Sequence, residues 1–205
     1  MRQLKAFSIL ATLGLLFIGN LSKTYAQGTY LGLKGGVNFS EFKGAESDVK
    51  MTPGAAFGAF IRQESAGNFA VTGEVNYMGK GTEYKDGLLE SSTVNYLEIP
   101  VLFEFMLPGE RIRPRLFAGP YAGFIMGAED NAEVGGVSVD TEENYSSIDA
   151  GAILGAGVNM KVSEENWLLL DVRYGLGMKD ITTDDDLDIR NRGFNVNLGF
   201  IFPIY

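Results

Sequence analysis

Residues Asn95 to Phe105 read NYLEIPVLFEF, and the period of that stretch decides the fold. Leu97, Ile99, Val101, Phe103 and Phe105 alternate with Tyr96, Glu98, Pro100, Leu102 and Glu104. Successive side chains of a strand point to opposite sides, so the spacing predicts one apolar face and one face bearing carboxylates. A helix would put Glu98 and Leu102 on one stripe and Glu104 beside Val101, with no clean face. The fold turns on which medium each face meets.

Seven more segments alternate in the same way, separated by turn residues. They are Thr29–Phe39, Gly54–Arg62, Phe69–Met78, Arg113–Met126, Ser147–Lys161, Trp167–Leu176 and Gly193–Phe202. The connections alternate in length. Ser40–Pro53, Gly79–Thr93, Gly127–Ser146 and Gly177–Arg192 are long, whereas Gln63–Asn68, Leu107–Ile112 and Val162–Asn166 are short. An even number of strands with long loops at one end and tight turns at the other predicts an all-β, eight-stranded antiparallel up-and-down transmembrane barrel.

A soluble lipocalin-like barrel shares the pattern with its faces reversed, and glycine separates the two. Gly32, Gly36, Gly58, Gly119, Gly123, Gly151, Gly155, Gly157, Gly175 and Gly199 lie on the polar face, against Gly35 and Gly73 on the apolar one. Glycine weakens a strand, so a water-facing surface gains nothing from it. An eight-stranded interior has barely room for side chains, so small residues belong there. The polar face is therefore expected inside, with the apolar face against lipid. Aromatics cluster at the ends of the lipid face. Phe39, Tyr77, Phe124, Tyr174 and Phe194 lie toward the long loops, and Phe69, Phe103, Phe105 and Phe202 toward the short turns. Such girdles mark the two membrane interfaces.

Eight charges share the inward face: Lys34, Arg62, Arg115 and Arg173 with Glu74, Glu98, Glu104 and Asp171. Buried charge must be paired. Counting back across the Leu107–Ile112 turn sets Glu104 level with Arg115 and predicts contact, with Glu98 in the same network. The expected role is a structural plug, the alternative an ion path. Pro100 and Pro120 lie nearly level on neighbouring strands, and proline offers no donor. The expectation is a bulge or a water-satisfied gap between them.

The chain has 205 residues, no Cys and no His. Disulfides, a lipoprotein anchor, the usual zinc and copper ligand sets and the histidine of a catalytic triad are thereby excluded. No catalytic, cofactor or metal residue is assigned. Asp184-Asp185-Asp186-Leu187-Asp188 lacks the Gly and terminal Glu of a calcium loop and reads as a solvated acidic turn. The acids of Gly127–Ser146 read likewise. Met1–Ala26 reads as a signal peptide: Arg2 and Lys5 precede an apolar run over Ala6–Gly19, and Thr24-Tyr25-Ala26 precedes a cleavage site at Ala26–Gln27. Cleavage leaves Gln27–Tyr205 as a single barrel domain. It also removes Arg2, Lys5 and Lys23, so 14 basic residues face 26 acidic ones, a formal charge of −12 that argues against nucleic acid as a partner.

The chain resembles the PorT-type outer-membrane β-barrel family, small OmpA-like barrels of the "porin family". The matching stretches are GLKGGVNFS (Gly32–Ser40), YLEIPVLFEF (Tyr96–Phe105), PRLFAGPYAGF (Pro114–Phe124), DAGAILGAGV (Asp149–Val158) and LDVRYGLGMKDI (Leu170–Ile181). The resemblance implies an eight-stranded barrel in the outer membrane of a Gram-negative-type cell. The expected partners are outer-membrane lipid, the barrel-assembly machinery during biogenesis, and envelope or secretion proteins. One departure is that Tyr205 is out of phase with Phe194–Phe202, with Pro203 between them. The function expected is non-enzymatic: envelope structure, surface interaction or assistance to secretion. A narrow solute or ion channel is the alternative, and a soluble carrier a third reading.

Overall fold

The computed structural model describes residues 26–43, 49–65, 67–84, 89–132, 138–140, 148–178 and 190–204. Nine strands follow in order: β1 Ala26–Lys43, β2 Val49–Ser65, β3 Phe69–Tyr84, β4 Leu89–Met106, β5 Ile112–Ala132, the short β6 Ser138–Asp140, β7 Ile148–Lys161, β8 Trp167–Gly177 and β9 Arg190–Ile204. Leaving the short β6 aside, each long strand pairs antiparallel with the next, β5 with β7, and β9 pairs back onto β1, so eight long strands close a barrel. Among the described residues there is no helix. β6 is an addition to the upper end of β5, where Asn131 faces Ser138.

The register fixes the barrel's shear. From Thr29 the paired positions run through Gln63, Val71, Phe103, Ala118, Leu154, Tyr174 and Phe194, and return to β1 at Phe39, ten residues along. For eight strands a stagger of this size goes with a tilt of roughly 35–45° and an interior that side chains fill. The same path brings Phe39, Phe194 and Tyr174 to one level, with the Tyr174 and Phe194 rings 4.9 Å apart. At the other end Phe69 meets Phe105 at 5.2 Å. Eight residues separate the aromatic positions Phe194 and Phe202 on β9. At about 3.3 Å per residue and this tilt they span about 20 Å, close to the apolar band of an outer-membrane barrel.

The two faces divide as expected. On β4, Tyr96, Glu98, Pro100, Leu102 and Glu104 are buried, whereas Phe103 is 61 % exposed on the outside. Leu33, Leu116, Leu154 and Leu198 are likewise outward and exposed. Buried charge inside and exposed leucine outside is the reverse of a water-soluble barrel, and the soluble-carrier reading falls with it.

Three expectations are sharpened. First, the strands run beyond the alternating segments: β3 continues to Tyr84, β4 begins at Leu89 and β5 reaches Ala132. Apolar alternation records where a strand meets lipid, and pairing continues past that height through residues such as Glu83, Ser91, Ser92 and Thr93. Register shifts occur between Met51 and Ala56 and between Asn95 and Tyr96, toward the long-loop end of the lipid face. Second, β9 does not stop at Phe202. Tyr30 faces Pro203 and Thr29 faces Ile204, so the strand carries its proline inside the ladder. Third, of the bulge or gap expected between the strands near Pro100 and Pro120, the structure has a gap. The β4–β5 register is the same on both sides of the prolines, yet the ladder passes from Pro100↔Tyr121 to Phe103↔Ala118 without rungs at Val101 and Leu102. On its other edge β4 passes from Asn76↔Glu98 to Gly73↔Val101, skipping Ile99 and Pro100. The missing donor produces a gap in the pairing without displacing the strands. The short turn between β2 and β3 reverses through Gly67 and Asn68, both at positive φ (84° and 69°).

Residues 1–25 of the expected signal peptide Met1–Ala26 and the acidic run Asp184–Asp188 lie outside the described residues. β1 begins at Ala26, so the Ala26–Gln27 bond falls at the start of the first strand.

Candidate functional site: a charged plug in the barrel lumen

The interior is organised in levels set by inward parity along each strand. Nearest the short turns, Phe60, Leu169 and Ile201 form an apolar layer with Tyr30 and Trp167 packed against it. Beside it Arg113 reaches Glu64 at 3.2 Å and lies over the Trp167 ring.

Above lies a continuous ionic network. Glu104 accepts from Arg115 at 2.9 Å, from Thr72 Oγ1 at 2.5 Å and from Arg62 at 3.1 Å. Arg115 continues to Asp171 at 2.6 Å. Asp171 takes Nε and NH2 of Arg173, both at 2.9 Å, and the Asn197 amide at 2.8 Å. Arg173 turns its remaining donors to Glu74, at 2.6 and 3.1 Å, and Glu74 also binds Lys34 at 2.6 Å and Asn76 at 2.9 Å. The Phe117 ring packs against the guanidiniums of both Arg115 and Arg173, which lie 4.6 and 5.1 Å from its centre, two cation–π contacts beside the Asp171 they share.

A second cluster sits toward the long-loop end. Lys80 lies between the rings of Tyr96 and Tyr121, at 4.8 and 4.9 Å, and contacts Glu98 at 3.0 Å and Asp149 at 3.5 Å. Tyr121 donates its hydroxyl to Asp149 at 3.2 Å. Between the clusters is a cavity of about 30 Å³ lined by Lys34, Asn38, Asn76, Glu98, Arg173, Asn195 and Asn197. That is room for a water molecule, not for a solute.

Of the eight charges expected inside, seven join in one network: Lys34, Arg62, Glu74, Glu104, Arg115, Asp171 and Arg173. Glu98 does not. It belongs with Lys80 and Asp149, because the lumen between it and Glu104 is taken by Leu102, Phe117, Tyr121 and Ile153. Glu104 touches Arg115 diagonally, since the register sets Phe117 opposite Glu104 and Arg115 opposite Met106. Lys80 escaped the sequence reading because apolar alternation stops at Met78, which assigned it to a loop. Its parity with Glu74, Asn76 and Met78 was the available signal. Asp149 stood on the inward face but was not counted among the charges.

Among the described residues the two clusters hold ten buried charges, five of each sign: Lys34, Arg62, Lys80, Arg115 and Arg173 against Glu74, Glu98, Glu104, Asp149 and Asp171, while the buried Glu64 pairs separately with the less buried Arg113. Each cluster is off balance alone. The larger holds four cations and three anions, the smaller one cation and two anions, and neutrality is reached only together. Lys80→Met, which leaves Glu98 and Asp149 without their shared cation, is expected to destabilise the barrel by about 3 kcal/mol. Lys80→Arg should recover most of it. Denaturant unfolding in lipid vesicles measures both, and equal loss in the two variants would refute the charge argument. Among the described residues no three acidic side chains converge to hold a metal ion.

A chain that turns leucine outward in a closed barrel and buries paired charge inside is built as an outer-membrane protein. Residues 25–183 match the model of the outer membrane protein beta-barrel domain, and the chain belongs to that family. Among curated proteins no relative matches. Solved structures share the fold at low identity. Neisserial surface protein A is 12 % identical with a TM-score of 0.55, over 87 % of this chain and 99 % of that one. The outer membrane protein OprG of Pseudomonas aeruginosa is 13 % identical with a TM-score of 0.55, over 89 % and 98 %. Outer Membrane Protein W of E. coli is 11 % identical with a TM-score of 0.52, over 89 % and 100 %. The protein is thus an outer-membrane β-barrel in a lipid environment.

Proposed function

We propose that this protein is a closed, non-conducting and non-enzymatic barrel whose work is done at its surface-facing end, as an envelope or secretion-assisting interaction protein. The observation that carries this reading is the lumen, filled from one aromatic level to the other by paired side chains around a cavity the size of a water. An ion entering such a space would have to break charge-assisted bonds that are each shorter and stronger than its hydration can replace. The expected partners in this role are the barrel-assembly machinery during insertion and envelope or secretion proteins afterwards. The PorT-like stretches are scaffold motifs and single out no branch of this reading, the secretion branch included.

Planar-bilayer recording tests the closed lumen. The wild-type barrel is expected to give no steady unit currents. Steady unit currents would replace this reading with a narrow channel. Crosslinking in intact cells followed by pull-down of the barrel tests the interaction role, and recovery of secretion components would place it in that branch.

A further inference from the structure

Toward the long-loop end of the lumen, one segment of the wall leaves its neighbour. Between Met51↔Thr82 and Ala56↔Met78 the β2–β3 ladder has no rungs, and Thr52–Ala55 of β2 stand against Gly79, Lys80 and Gly81 of β3. Both stretches keep their other edges. Thr52–Ala55 pair with Val37–Ser40 of β1, and Gly79–Gly81 with Thr93–Asn95 of β4. An extra residue in one strand of a pair bends the wall. Here the bend brings β3 over the lumen side of β2. Gly54 lies opposite the inward Asn38, and a Cβ on it would meet the backbone of Gly79.

Side chains of β1 take the place of the missing rungs. Asn38 donates to the Gly79 carbonyl at 3.1 Å. Ser40 Oγ accepts from the Gly81 N–H at 2.9 Å and donates to the Gly81 carbonyl at 3.3 Å. Between the two glycines, Lys80 reaches Glu98 of β4 and Asp149 of β7, with the rings of Tyr96 and Tyr121 against its ammonium. The segment is thus tied across the mouth to β1, β4, β5 and β7, over the water-sized cavity that Asn38 and Glu98 help to line.

We propose that Gly79–Gly81 is a strap that closes the outer mouth of the lumen and swings back to β2 to open it, admitting water and small ions to the cavity. Two arrangements compete for the same backbone groups. In the closed one Asn38 and Ser40 satisfy them, and in the open one the backbone of Thr52–Ala55 does. Like is exchanged for like, so the two states differ by little in hydrogen bonding. The closed state carries a cost of its own, because Thr52 Oγ1 is buried without a partner among the described residues. The ionic network and the apolar floor beneath stay in place, so the open strap wets the cavity from one side and makes no channel. The inference rests on the closed-lumen reading and gives that closure a point of control.

The chain has no Cys, so a single introduced one reports access. Ala56 is buried and lines the cavity, Leu169 is buried in the floor layer, and Glu110 is exposed in a turn. Barrels in nanodiscs carrying Ala56→Cys, Leu169→Cys or Glu110→Cys are treated with a cationic methanethiosulfonate, and labelling is followed by mass. With the strap unaltered, Ala56→Cys is expected to react far more slowly than Glu110→Cys. Ser40→Ala and Asn38→Ala should each speed its labelling by about tenfold, the effect of losing one buried hydrogen-bonding side chain. Both should leave Leu169→Cys unlabelled, and heat-modifiable gel migration verifies that each variant is folded. Unchanged labelling of Ala56→Cys in both strap variants overturns the proposal. So does labelling of Leu169→Cys in step with Ala56→Cys, which would mean a general loosening of the barrel. Labelling of Ala56→Cys as fast as Glu110→Cys with the strap unaltered would instead sink the closed-lumen reading on which the strap depends.

Discussion

Glu104→Gln is expected to destabilise the barrel by about 3–5 kcal/mol, the cost of removing one partner from a buried charge pair. Glu104 is 2 % exposed and neutralises two guanidiniums at once, those of Arg62 and Arg115. Glutamine keeps the shape and can still accept from Thr72, so the change isolates charge from volume. The larger cluster goes from a surplus of one positive charge to two, within the buried interior of the barrel. Pairing the change with Arg115→Met removes the stranded cation, so the double variant should lose less than the single one. Glu110→Gln, in an exposed turn, is the control and should stay within about 0.5 kcal/mol of wild type. Denaturant unfolding in vesicles, followed by tryptophan emission from Trp167, reads all three. A loss under about 1 kcal/mol for Glu104→Gln would mean the network is not what holds the lumen.

The distribution of what the sequence disclosed follows from the same physics. Parity is local: it depends only on the strand being a strand, and it placed Lys34, Arg62, Glu74, Glu104, Arg115, Asp171 and Arg173 inside from residue numbers alone. Which of them touch is not local. It depends on the shear and on how far each side chain leans, and so Glu98 was assigned to the wrong partners. Lys80 shows the second limit. Its strand continues beyond the lipid, where no apolar partner alternates with it, and a reading based on hydropathy stops there. Pro100 shows a third. The sequence announces a missing donor, but whether the ladder bulges or lapses depends on the neighbouring strands, which are held in register by eight other rungs between Tyr96 and Met106.

Glycine carries the largest effect of opposite sign on the two faces. Gly32 points inward and stands directly opposite Phe60 in the β1–β2 register. A Cβ at Gly32 would overlap the Phe60 ring, whose atoms are its three nearest neighbours. The ring therefore occupies the space that the missing side chain vacates, a cross-strand cover of glycine by an aromatic. Gly32→Val is expected to cost on the order of 3 kcal/mol by overpacking. Phe60→Ala should cost about 3–5 kcal/mol through the cavity it leaves and the loss of the ring beneath Arg62, 5.4 Å from its centre. Because each change makes the room or fills the void that the other needs, the double variant should fall well short of the sum. Gly73 is the counterpart on the lipid side. Its nearest neighbour to an added Cβ is Ile61 Cγ2 at 4.0 Å, an ordinary contact. Gly73→Ala should therefore be neutral or stabilise by about 0.5 kcal/mol, since alanine restricts the unfolded chain more than glycine does. Additive losses in the Gly32–Phe60 pair, or equal penalties at Gly32 and Gly73, would mean that glycine on the inward face answers to something other than crowding in the lumen.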